Sequence, residues 1–240
     1  MNVLGLDTCF GALSVAVGVG LSGEHPRVVA RHATMATGHA ERLVPVMNEL
    51  LAEAGLTFSA LDRIAVTIGP GSFTGTRIGI AAARALHLAH GTPIVALTSL
   101  EAMALHPAIG DIPVGTDLAI AVDAHRGEAY IQIFDGHARE PVAPPAIVPQ
   151  SGYAAVDRGR PLVIAGTAAA AVAEALAAHG RPAHALEVEI WPGMERAILR
   201  AVARPPSVAA IEPLYLRPPD AKPQDGKSLA RAHPVAGSAP

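Results

Sequence analysis

Seven residues, Gly69-Pro70-Gly71-Ser72-Phe73-Thr74-Gly75, constrain this chain more than any other stretch. Three glycines and a proline do not continue a regular helix or strand. The apolar run Asp62–Ile68 before them reads as a buried strand. The segment Thr76–His90 after them reads as a helix closed by Gly91. A strand that turns through glycines into a helix is a building unit of α/β folds. The turn has two readings. Backbone N–H groups at a helix start can face an anion, and Gly71, Ser72, Thr74 and Gly75 are then the candidate contacts. Alternatively the glycines allow close backbone packing in a crowded turn, which is favoured because such a turn needs them. The Gly-Lys-Ser/Thr ending of a P-loop is missing, so no lysine is placed to meet a terminal phosphate. Phe73 is either an exposed contact or a plug over the sheet edge.

Around this unit the periodicity is consistent. Asn2–Asp7 and Ala12–Gly18 are apolar runs joined by a Gly-bearing turn, which predicts a hairpin, with Pro26–Thr34 as a third strand. Leu43, Val46, Met47, Leu50, Leu51 and Ala54 keep helical spacing up to Gly55; Pro45 fits only that helix's first turn, or kinks it. Pro93–Leu97 reads as a strand and Ser99–Leu105 as a short helix. The order predicts a mixed sheet with helices packed on it. An echo begins near Thr116. Leu6–Val17 can be laid over Val122–Ile133, with Asp7 on Asp123 and Gly11 on Gly127, and internal duplication is the favoured explanation. The second half then holds a Pro-rich link (141–149), a strand Leu162–Ala165, and helices at Thr167–Ala178 and near Gly193–Ala203. Pro213–Arg217 is expected to dock back onto the body. The expected division is 1–106 for a first lobe, 107–217 for a smaller second lobe and 218–240, with five prolines, for a disordered tail.

Composition narrows the function. Half of the 240 residues are hydrophobic but only 3% aromatic, so the core is aliphatic. A net charge of −3 argues against gripping nucleic acid unaided. The single cysteine, Cys9, excludes an intrachain disulfide and a Cys-rich zinc site. The N-terminus, MNVLGLD, has no basic stretch of a secretory signal, and no apolar run reaches the ~20 residues of a membrane span. The expectation is a cytoplasmic protein with no membrane association.

The residues offer little chemistry. Asp7 and Asp123 each end a first strand, where an aspartate either faces a metal–phosphate group across a cleft or caps its own turn. The Cys9-Phe10 turn is poor material for clasping phosphate. His87 and His90 share a helix face, but they lie in its last turn, where cations suit the dipole, and no third ligand is placed beside them. His39 opens the first helix as a capping or surface residue. Cys9 has no identifiable histidine and Ser72 no G-x-S-x-G context. No catalytic residue and no metal site are assigned. The stripe on the first helix is wide enough to serve the chain's own sheet, a partner, or both.

Several segments nevertheless resemble one family. Gly38–Leu56 (GHAERLVPVMNELLAEAGL) resembles the first-helix signature of bacterial TsaB proteins, and Gly69–Gly79 (GPGSFTGTRIG) is similar to that family's most specific motif. Thr98–Ala102, Val122–Tyr130 and Pro213–Arg217 follow in the expected order. The resemblance covers residues 1 to about 222, loosely over 135–205. It implies an actin/sugar-kinase-like (ASKHA) α/β fold of two duplicated ribonuclease H-like lobes with mixed sheets, the second reduced. It implies a non-catalytic subunit that supports threonylcarbamoyl transfer to the adenosine beside the anticodon of tRNAs reading codons that start with A. The paralogue TsaD carries the metal and the chemistry, a small ATPase, TsaE, joins them, and tRNA is met only through the complex. TsaD-like sites use a His-x-x-x-His pair on a helix; here His39 stands near the matching place but position 43 is Leu. Family dimers pack the first two helices of each partner together, whether with TsaD or with a second copy. That places His39, Arg42, Leu43, Val46, Met47, Leu50, Arg77, Ala81, Arg84 and Leu88 at the interface, which would bury about 1,200–2,000 Å². No cofactor is expected to bind tightly, and ATP or ADP has a place at the partner interface. The rivals are an ATP-dependent small-molecule kinase on the same fold, resting on Asp7, Asp123 and the Gly-rich turn, and a metallopeptidase, which the histidine spacing supports poorly.

Overall fold

Two apolar runs that end in aspartate become the central strands of two five-stranded sheets. The computed structural model describes residues 1–207 and 210–217. The first half forms β1 (Val3–Asp7), β2 (Ala12–Val19), β3 (Arg27–Thr34), α1 (His39–Ala54), β4 (Arg63–Thr67), α2 (Phe73–His90), β5 (Ile94–Leu97) and α3 (Ser99–Ala104). The second forms β6 (Asp117–Asp123), β7 (Glu128–Asp135), β8 (Ala146–Pro149), β9 (Leu162–Ala165), α4 (Ala169–Ala178), β10 (His184–Ala185) and α5 (Met194–Ala203). The tail expected beyond 217 lies outside the described residues.

The first sheet has the order β3-β2-β1-β4-β5. Read from the corresponding end, the second is β8-β7-β6-β9-β10. In each, a hairpin pairs antiparallel and the next two strands join in parallel. This is the duplicated ASKHA architecture. β7 has the bounds of β2 shifted by the offset of the sequence echo, but the hairpins differ by one residue in register. Asp7 faces Ser14, whereas Asp123 faces Ala129. The second lobe is reduced: a 3-10 segment at Gln150–Val156 stands where α1 stands in the first, and α4 has 10 residues against 18 in α2.

Alternation along the strands decides which helix covers which face. Leu4, Leu6, Leu13, Val15, Val17, Ile64 and Val66 point to one face of the first sheet, where they meet α1 and α2. Gly5, Ser14, Ala16, Gly18 and Ala65 occupy the other register. These small residues let α5 lie close: a Cβ on Gly5 would come within 2.6 Å of Ile198, and one on Gly18 within 2.9 Å. α5, although late in the chain, therefore covers the first sheet, while α3 packs against β6 and β7 of the second. Each lobe borrows a helix from the other half of the chain.

Two local expectations change. α2 begins at Phe73 rather than Thr76, because Ser72 caps it: its Oγ accepts from the Gly75 N–H at 3.0 Å. Pro45 lies inside α1, on its exposed side, and the helix runs on through it. No helix among the described residues is long and apolar enough to cross a membrane.

Leu50 is fully buried in the first-sheet core. Leu50→Ala is expected to destabilise the fold by about 2–5 kcal/mol in a denaturant titration, whereas Ala substitution of the half-exposed Val44 should cost well under that.

Candidate functional site

Between the lobes lies a cleft of about 710 Å³. Cys9–Gly11 of the first hairpin, the start of α1, and the Gly71–Ile78 segment wall it on one side. Asp123–His125, Tyr130 and Arg217 wall it on the other. The closing segment is held to both lobes. The Leu214 N–H donates to the Ile68 carbonyl at 2.7 Å, and Arg217 pairs with Glu128. Pro213–Arg217 thus docks back as expected, across the cleft mouth.

The floor of the cleft is sealed. Asp7 is completely buried and is not among the residues lining the cleft. Its Oδ1 accepts from the Thr67 hydroxyl at 2.5 Å, and its Oδ2 has no hydrogen-bond partner. Burial pushes its carboxyl up to about 6, only partly offset by the Thr67 hydrogen bond. Cys9 lies over it with a fully buried thiol beside the Thr67 and Thr76 hydroxyls; burial, and then the Asp7 charge, push that thiol strongly upward. It is therefore a thiol, not a nucleophilic thiolate. In this conformation the neighbouring side chains shut Asp7, a candidate anion contact, from the cleft. Asp123, by contrast, lines the cleft, and its Oδ1 accepts from the His125 N–H at 2.8 Å, the arrangement of a turn-capping aspartate.

The Gly-rich turn is bound to the first hairpin rather than held open. The Cys9 carbonyl accepts from the Ser72 N–H at 2.6 Å. Thr8 Oγ1 donates to the Gly75 carbonyl at 2.6 Å and accepts from the Gly79 N–H at 3.0 Å. A Cβ on Gly71 would sit 2.2 Å from the Cys9 carbonyl oxygen, and one on Gly75 2.0 Å from that of Thr8. The glycines serve close backbone approach, and the amides of Ser72, Gly75 and Gly79 are spent inside the protein. Gly71, Ser72, Thr74 and Gly75 do line the cleft, with Ser72 and Thr74 exposed and Gly75 buried. Phe73 is the exposed contact of the two options: it stacks on Tyr215 at 5.3 Å, the Arg77 guanidinium lies 3.6 Å over its ring, and Arg77 Nε donates to the Tyr215 hydroxyl at 2.7 Å.

The structure divides the first-helix residues into two sets. Leu43, Val46, Met47 and Leu50 are buried against the chain's own sheet, so their side chains are closed to a partner in this conformation. The periodicity showed that the stripe is covered; the core of the same lobe is what covers it. Arg42, Arg77, Ala81, Arg84 and Leu88 are exposed, joined by Val44 at 50% and with Leu88 at 88%. Val44 was not singled out from sequence, because it falls off the apolar stripe. His39 is neither a cap nor a surface residue: Gly38 holds the N-cap position, and His39 is buried at the cleft edge with Nε2 unpartnered. His87 and His90 are exposed, and His87 Nδ1 is bonded to the Thr92 carbonyl oxygen at 3.0 Å. No three metal-ligating side chains come together among the described residues.

The chain is similar to several known proteins. Residues 20–149 match the family model described as TsaD: tRNA N6-adenosine threonylcarbamoyltransferase. An uncharacterized protein of Mycobacterium tuberculosis is 36% identical over 226 residues, which cover 92% of this chain and 94% of that one. The tRNA threonylcarbamoyladenosine biosynthesis protein TsaB of Haemophilus influenzae is 32% identical over 130 residues, 54% of this chain and 52% of that one. A crystal structure from Pseudomonas aeruginosa, of an uncharacterized protein with similarity to peptidase YeaZ, superposes with a TM-score of 0.72. It is 29% identical and covers 90% of this chain and 99% of that chain.

The Asp7 carboxyl supplies a pH test. Its value is raised from 3.8 to about 6, so folding favours the protonated form. The resulting stability is full below the unfolded value and lost as pH rises through 6. Asp7→Asn keeps a neutral isostere, and its gain over the parent chain should grow from pH 4 to pH 8, reaching about 1–3 kcal/mol in thermal or urea unfolding. A gain that does not change with pH would contradict a buried, uncomfortable carboxylate.

Proposed function

We propose, from the premise that the chain belongs to the TsaB family, that it is the non-catalytic docking subunit of a tRNA threonylcarbamoyladenosine-forming complex. In this reading it binds and activates a TsaD-type transferase, which performs the threonylcarbamoyl transfer, and a TsaE-like ATPase joins the pair. tRNA is engaged through the complex. The observation that carries the reading is the pairing of a closed cleft floor with an open helix face. Of the groups that would hold a metal–phosphate in a working kinase, Asp7 is buried, and the Ser72 and Gly75 amides of the Gly-rich turn are taken up by internal hydrogen bonds. Meanwhile α1 and α2 lie side by side and present Val44, Ala81 and Leu88 among Arg42, Arg77 and Arg84. Apolar anchors among arginines suit a protein–protein interface.

The buried residues Leu43, Val46, Met47 and Leu50 then act indirectly, by fixing where α1 sits. In the absence of TsaD the same face pairs with a second copy of the chain. ATP or ADP, where it takes part, sits in the cleft beside His39 and the partner. The kinase alternative is disfavoured, since a buried Asp7 with a raised pKa is a weak ligand for a magnesium ion.

Leu88→Asp and Val44→Asp test this reading without touching the core. Both variants should keep the parent melting temperature within a few degrees. Each should cut complex formation with TsaD, and threonylcarbamoyl transfer to tRNA in the reconstituted system, by about tenfold or more. Full transfer activity with both variants would overturn the assigned face, and transfer at an undiminished rate with this chain omitted would overturn the activating role.

A further inference from the structure

A second cavity, of about 280 Å³, shares no residue with the cleft. Its walls come from three places: the segment after α3 with His106 and Asp111, the turn after β7 with His137 and Arg139, and Arg196 on α5. Two of these side chains carry buried polar atoms without a partner.

His106 is 6% exposed, and its Nε2 makes no hydrogen bond. Its Nδ1 accepts from the Ala108 N–H at 3.2 Å, which puts the proton of the neutral ring on Nε2 as a donor. The ring is held edge-on against Trp191, with centroids 4.2 Å apart. Arg139 uses Nη2 on the Gly110 carbonyl, while its Nη1 is buried and unpartnered. Burial lowers the Arg139 pKa, against an opposing pull from Asp111, yet a guanidinium stays charged at neutral pH. Arg139 makes no ion pair among the described residues. A buried donor without an acceptor is costly, and a charged one more so.

The arginines of α5 point the same way. Arg196, Arg200 and Arg204 recur one turn apart on one helix face. Arg200 pairs with Glu140, and Arg204 with Glu101 at 2.5 Å and Glu140 at 3.7 Å. Arg196, the one that reaches this cavity, has no ion pair among the described residues. It also lies in the first turn of α5, where the helix dipole disfavours a cation. Asp111 is the carboxylate in the walls, set against two guanidinium groups, and the Glu195 charge acts on His106 from beside them.

We propose that this cavity binds a small oxyanion of the phosphate type, free phosphate or a compact phosphomonoester, between Arg139, His106 and Arg196. Such an ion supplies acceptors to both buried donors and balances the excess positive charge. The volume fits a phosphate group with a few further atoms. The two buried donors, on His106 and Arg139, lie in a concave site with Arg196 at its exposed rim, which favours a compact free ion over a polymer backbone read by exposed cations alone.

The test is a calorimetric or phosphorus NMR titration of the full chain with orthophosphate at low ionic strength. Saturable one-to-one binding at millimolar concentration or tighter is expected. Arg196→Gln, an exposed change that leaves the fold intact, should weaken it about tenfold, and Arg139→Gln should abolish it. Ser72→Ala, in the wall of the cleft, should leave it unchanged. Absence of saturable binding, equal affinity in the Arg196→Gln and Arg139→Gln variants, or binding of a short single-stranded RNA with none of orthophosphate would each overturn the proposal.

Discussion

The contact between the end of β1 and the start of α2 governs the architecture of the first lobe. Thr8 Oγ1 bridges the Gly75 carbonyl and the Gly79 N–H, and the Cys9 carbonyl takes the Ser72 N–H. These bonds form only because no side chain stands at Gly71, Gly75 and Gly79. They fix the angle at which α2 leaves the sheet, and hence where α2 meets α1. They also close Cys9 over Asp7, which removes the carboxylate from the cleft. One set of short-range backbone contacts therefore dictates both the buried floor and the exposed helix face.

The second constraint is the exchange of helices between the halves. α5 packs on the first sheet and α3 on the second, and Thr98 Oγ1 at the α3 cap bonds Gln132 of β7 at 2.7 Å. Arg204, just after α5, reaches Glu101 on α3. The lobes are thus tied by their last helices as well as by the Pro213–Arg217 strap. The reduced second lobe keeps the five-stranded sheet, has a 3-10 segment in place of α1 and shortens the helix that corresponds to α2.

Much of this was legible in the sequence, for reasons that are local. Apolar runs ending in aspartate marked β1 and β6, alternating runs after a Gly-bearing turn marked β2 and β7, and the echo between the two hairpins anticipated sheets of matching order. Glycine at 55 and 91 marked the ends of α1 and α2 through their left-handed backbone. What could not be read depends on distant parts of the chain. The stripe Leu43–Leu50 announced a covered face but not what covers it. Asp7 looked like a ligand because its burial is imposed by Cys9, Thr67 and Thr76 from three separate elements. Gly5 and Gly18 carry the only local hint that a helix would approach the small-residue side of the first sheet, and nothing nearby identified it as α5. The Arg139 cavity was invisible for the same reason, since its walls lie some 90 positions apart in the chain, from His106 to Arg196.

The account turns on the Ser72 and Gly75 amides of the Gly-rich turn, with the Gly79 amide behind it, being committed to the protein itself and not to a phosphate. Hydrogen exchange at the Ser72, Gly75 and Gly79 amides, measured with and without magnesium–ATP, tests it most directly. Slow exchange in the isolated chain that nucleotide does not slow further is the expected result. Fast exchange that becomes slow as nucleotide binds would mean that the turn is an anion cradle, and the docking-subunit account would fall with it.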